Sequence, residues 1–252
     1  MNQQVDFIHG IYNHCDTWCE RCLFTSRCRS FQIQSEAGLI KLQSTDGNLI
    51  QQLTDALNLT KQYIDQLGQS QDPTGTDAPT DLEAQNLEEE PVRVKHSQQY
   101  AVTALANQYL RQTGYWLKEE ELLLKQTGQQ QIREMALGLR TEEETMPILH
   151  ALKDAWEMIC WYRALIPVKI QSSLRALNSP STDVLLNTYH LGKAKLVLVS
   201  IDRSLLAWQT LISFYPEKTD DVLDLLALLS RIRREMETLF PDARAFQRPG
   251  LD

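Results

Sequence analysis

The sequence predicts an all-α protein: an antiparallel four-helix bundle with a short N-terminal cysteine-rich arm. Three observations predict it. After residue 95, apolar residues recur every three to four positions over four long stretches. No run alternates with the period of two that marks a strand. Glycine (10) and proline (9) are scarce among 252 residues, unlike a sandwich or barrel. Long helices with short connections pack most simply as a bundle, and thirty residues of helix span roughly 45 Å.

Taken in order, residues 1–14 set Val5, Ile8, Ile11 and Tyr12 at helical spacing. The cysteine segment follows, and residues 29–47 fit no single pattern. Residues 49–67 predict a helix. Residues 68–95 carry three prolines, two glycines and many acids with little to bury, which predicts a flexible acidic linker in which 81–90 forms a short solvated helix. Residues 97–125 predict a helix weakened at Gly114. Residues 142–177 predict the next, opened by Thr141 as N-cap with Glu144 three residues on, a capping box. Pro147 falls in its first turns, and Pro167 should kink it. Ser181 or Thr182 should cap a third helix that stops at Pro216. Thr219 should cap the fourth, 220–239, with Asp220 and Asp221 at its positive end. The last twelve residues predict an extended tail docked by Phe246. The expected domains are 1–67 with its cysteine segment 14–28, the linker 68–95, and the bundle 96–252.

The formal net charge of −8 argues against phosphate-backbone partners, since that binding needs clustered cations. The basic run Arg231, Arg233 and Arg234 is flanked by Glu235 and Glu237 and reads as a solvated face. No uninterrupted apolar run reaches the ~18 residues of a membrane span, and the first ten residues lack an export signal. A cytoplasmic protein without membrane or nucleic-acid partners is expected.

Chemistry concentrates in one place. Cys15, Cys19, Cys22 and Cys28 fall within fourteen residues, separated by three, two and five. In a reducing compartment clustered thiols point to metal or redox chemistry. The plain alternative is a helical core stripe, because 15, 19 and 22 are i, i+4 and i+7 and cysteine packs as a small hydrophobe. Cys28 breaks that stripe. On a straight helix the Cα atoms of Cys15 and Cys22 would lie about 10.5 Å apart, so a shared metal requires the chain to wrap. Four soft thiolates select zinc or an iron–sulfur cluster. Interleaved Arg21, Arg27 and Arg29 would offset the residual negative charge, and Trp18, Leu23 and Phe24 would shield the centre. The first three cysteines match the spacing of the radical S-adenosylmethionine motif, but the barrel strands are missing and Cys28 would close the fourth position. The compact spacing favours a 4Fe-4S cluster over a zinc ion, because structural zinc sites usually bring two close pairs from separate places. A pairwise thiol switch is a further option. Cys160, in an apolar helix, reads as an inert core residue.

Other candidates are weaker. No Glu stands three residues before any histidine, so the di-iron pattern of helix bundles is missing. His150, Asp154 and Glu157 share a helix face, and Asp202 lies in an apolar stretch. With His150 or His190, Glu157 and Asp202 would form a carboxylate–histidine metal enzyme; structural ion pairs with Lys169 or Arg203 are the favoured reading. Trp156, Trp161, Tyr162, Trp208 and Phe214 read as core. No phosphate loop, nucleophile elbow or zinc-protease motif is present.

The block from Tyr12 to Cys28, together with Phe240-Pro241-Asp242-Ala243-Arg244-Ala245-Phe246 and Arg248-Pro249-Gly250, resembles a bacterial protein family of about this length that carries no assigned activity. The resemblance implies a bacterial cytosolic setting and no mechanism. The sequence expectation is therefore a metal-binding protein with a structural, redox or sensing role and no catalytic residue assigned. The alternative is a metal-free module that docks another protein.

Overall fold

A computed structural model describes residues 6–36, 100–178 and 182–252. Among the described residues the fold is all-helical, with no strand. The α-helices are α1 (Ile11–His14), α2 (Arg29–Glu36), α3 (Ala101–Ala136), α4 (Glu142–Asn178), α5 (Val184–Phe214) and α6 (Thr219–Leu239). Short 3-10 turns occupy Cys19–Arg21, Thr25–Arg27, Pro216–Lys218 and Pro241–Ala243. The expected helix 49–67 and the linker 68–95 lie outside the described residues.

The chain divides into two compact units. One comprises Met1–Glu90 with Arg248–Asp252, the other Pro91–Gln247. The second holds the four long helices. In it α3 packs on α4, α4 on α5, α5 on α6, and α6 back on α3.

Its core follows the periodicity of the sequence. Val102, Ala106 and Tyr109 of α3, Ile159, Ile166 and Ile170 of α4, Val197, Ile201 and Trp208 of α5, and Leu225, Leu229 and Ile232 of α6 are buried at three- and four-residue steps. Each large apolar side chain buried there contributes about 1.5–3 kcal/mol relative to exposure. The Trp116 ring meets Trp208 edge-on with centroids 4.8 Å apart, and the Trp208 indole N–H donates to Tyr109 Oη at 3.1 Å. Lys218 reaches Glu120 at 2.6 Å, tying the turn before α6 to α3.

Element ends differ from expectation where caps decide. The capping box forms: Thr141 N–H donates to Glu144 Oε2 and Glu144 N–H to Thr141 Oγ1. α4 then runs through both prolines as one element. α3 continues to Ala136, eleven residues beyond its expected end. Asp183 caps α5, accepting from Leu185 N–H at 2.8 Å, in place of Ser181 or Thr182. Thr219 opens α6 as its first residue, and its hydroxyl donates to Pro216 O. The end of the chain is not extended. A 3-10 turn forms at Pro241–Ala243, Ala243 is buried, and Arg244 bonds Asp202 and Glu237. Phe246 is only half-buried.

α5 is long and apolar enough, by length and composition, to cross a bilayer, although charges interrupt it. Half of its most apolar window is buried inside the helical unit.

Candidate metal centre

The cysteine segment does not continue a helix. Gly10, in the left-handed region at φ 76°, starts α1, which lasts four residues before Cys15 turns extended. The expected helix over 1–14 is thus limited to Ile11–His14 among the described residues. Asp16 accepts from the Trp18 N–H at 3.2 Å, and between them Thr17 takes φ 59°. Cys19 opens one 3-10 turn, Cys22 is extended, Thr25–Arg27 forms the next turn, and Cys28 is extended before α2. The thiols therefore sit on successive turns, which overturns the helical core stripe.

These turns wrap around one small, partly open pocket of about 20 Å³, which all four half-buried cysteines line. Ile11, Trp18 and Phe31 complete its apolar wall, with Asp16, Thr17 and Thr25. All four are free thiols. Backbone amides reach two of the sulfurs from two residues ahead: Phe24 N–H donates to Cys22 Sγ at 3.4 Å, and the Thr17 amide to Cys15. Burial pushes the Cys15 thiol above its ordinary value. The Thr17 amide opposes this, while Asp16, Cys28 and Cys22 add to it. Burial likewise raises Cys19, followed by the charges of Cys15, Cys22 and Cys28. Burial and neighbouring negative charge thus act together against the thiolate form of Cys15 and Cys19.

As they stand, no three His, Cys, Asp or Glu side chains among the described residues are placed to hold one metal ion. The donor chemistry fits a soft metal; the sulfurs ring the cavity without closing on a single ion.

The expected surroundings are partly corrected. Trp18 is buried and lines the cavity, but Leu23 is 90% exposed and Phe24 is not among the lining residues. Leu23 sits at the tip between two turns, and Ile11 and Phe31 supply the apolar cover instead. The arginines brace the loop: Arg21 stacks over Trp18, Arg29 lies over Phe7, and Arg27 donates to the Asp6 carbonyl at 3.1 Å and its carboxylate at 3.3 Å. The Ile8 N–H donates to Arg27 O at 3.0 Å, fixing the carbonyl before Cys28.

Elsewhere, the carboxylate–histidine candidates are dispersed. Asp202 pairs with Arg244 and lies 3.7 Å from Arg233. Arg203 donates to Tyr162 Oη. Glu157 lies 3.8 Å from Lys153, and His150 is exposed. His190 is buried, its Nδ1 3.0 Å from Ser172 O. Cys160 is half-buried on α4, with its thiol pushed up by burial. No family model, curated protein or solved structure matches the chain.

Proposed function

We propose that Cys15, Cys19, Cys22 and Cys28 bind a 4Fe-4S cluster for a structural, redox or sensing purpose. The protein is then a cytoplasmic bacterial protein whose long helices form an antiparallel bundle. The carrying observation is that four closely spaced thiols on separate turns line one small, partly open pocket. Two backbone amides directed at sulfur stabilise thiolate charge, as around clusters. When bound, the cluster would supply a one-electron redox centre or an inorganic cross-link of the loop. The chain's part is to present four sulfurs, temper their charge with amides, and exclude water with Trp18, Ile11 and Phe31.

Zinc is the second reading, and a different observation favours it. A cavity of about 20 Å³ has room for roughly one water-sized occupant, which suits a single ion. The cluster stands first on the compact thiol spacing, three cysteines at gaps of three and two with a fourth close behind.

Anaerobic purification with iron, sulfide and zinc analysis tests this. Iron and sulfide in equal amounts, about four of each per chain for a four-iron cluster, with a broad visible band, support the first reading. One colourless zinc per chain supports the second. A chain with four free thiols and no metal overturns both.

A further inference from the structure

We infer that the last five residues, Arg248–Asp252, are a positioning part of the cysteine site, holding Cys28 in place through Ile8 and the Arg27 carbonyl. This rests on the thiolate-centre reading above. Gly250 takes φ 72°, and a Cβ built on it would lie 2.9 Å from both Cδ1 and Cγ2 of Ile8. The tail backbone thus lies flat against Ile8, at a distance only glycine permits. Ile8 in turn donates its N–H to Arg27 O, one residue before Cys28. Arg27 returns to Asp6 through its side chain, so the 6–8 strip and the Cys28 turn are tied twice.

The tail is preorganised for this contact. Arg248 is 6% exposed, its Nη2 lies 2.7 Å from Asp252 Oδ1, and its N–H donates to Asp252 Oδ2 at 3.0 Å. Leu251 N–H closes the turn on Arg248 O. Cys15, Cys19 and Cys22 lie within a local loop of eight residues. Cys28 also depends on contacts reaching across the whole chain. Coupling is reciprocal, so metal in the site also holds the tail down.

The test uses the full chain, loaded with the metal it carries on purification. Gly250→Ala introduces the overlap with Ile8, and Arg248→Gln breaks the internal bond of the tail without adding bulk. Both should release metal to a chelator about tenfold faster than the wild type, with unchanged helical circular dichroism. Replacing Ile8 by Ala in the Gly250→Ala background should slow release again. Amide exchange over 248–252 should be faster in the stripped protein than in the loaded one. If Gly250→Ala does not fold, Arg248→Gln and the exchange measurement decide. Wild-type release rates in every folded variant, with exchange indifferent to metal, overturn the inference. A wild type that carries no metal overturns the underlying reading instead.

Discussion

Thr17 holds a backbone angle, φ 59°, that a β-branched residue rarely adopts, and this bend turns its amide toward Cys15. Such strain, of order 1–3 kcal/mol, persists where surrounding contacts over-determine the conformation. Here the contacts are the Asp16–Trp18 turn and the stacking of Arg21 on Trp18. Cys28→Ser should remove a donor and abolish stoichiometric metal, whereas Cys160→Ser should retain it; metal analysis of the two proteins compares them directly. His190 gives a separate prediction for the helical unit. Burial lowers its folded pKa below the ordinary 6.5, and Arg175 and Lys193 act in the same direction, against the hydrogen bond to Ser172 O. A depressed histidine binds its proton more readily when unfolded. The stabilisation is therefore present above pH ~6.5 and declines as pH falls from there toward the folded value. Replacing His190 by Gln should flatten that part of the stability–pH curve measured by urea unfolding.

At the scale of the element, the caps decide where helices begin. Asp183→Ala should cost about 1 kcal/mol, measured by denaturant unfolding, while Thr182→Ala should cost almost nothing. The interiors of α3 to α6 could be read from the sequence because 3.6-residue periodicity is a property of each segment alone. Their ends are harder: Ser181 and Thr182 are plausible caps by residue type, and geometry selects Asp183 instead. The N-terminal stretch predicts a helix because Val5, Ile8, Ile11 and Tyr12 keep helical phase. The left-handed turns at Gly10 and Thr17 break that phase without changing the pattern of apolar residues. The grouping of thiols was visible in their spacing, because a wrapped loop of that length brings them together. The cover was not: Leu23 is as apolar as Ile11, yet it sits at a turn tip. The tail contact joins residues 8 and 250, and no local pattern announces it.

At the scale of the whole molecule, the cysteine cluster and the four long helices fall in different compact units. The Trp116–Trp208 pair and the buried faces of α3 to α6 lie in the unit without the cysteine cluster. Stripping metal should therefore leave the circular dichroism and thermal unfolding of the helical unit nearly unchanged, while proteolysis of the cysteine unit accelerates. Simultaneous collapse of both under chelation would argue for one cooperative body. The central claim is that the four thiols share one metal centre, and X-ray absorption at the metal edge of anaerobically purified protein tests it most directly. A shared centre gives a metal bonded to sulfur alone, with iron neighbours for the cluster. Bound metal with nitrogen or oxygen ligands in place of sulfur would contradict it.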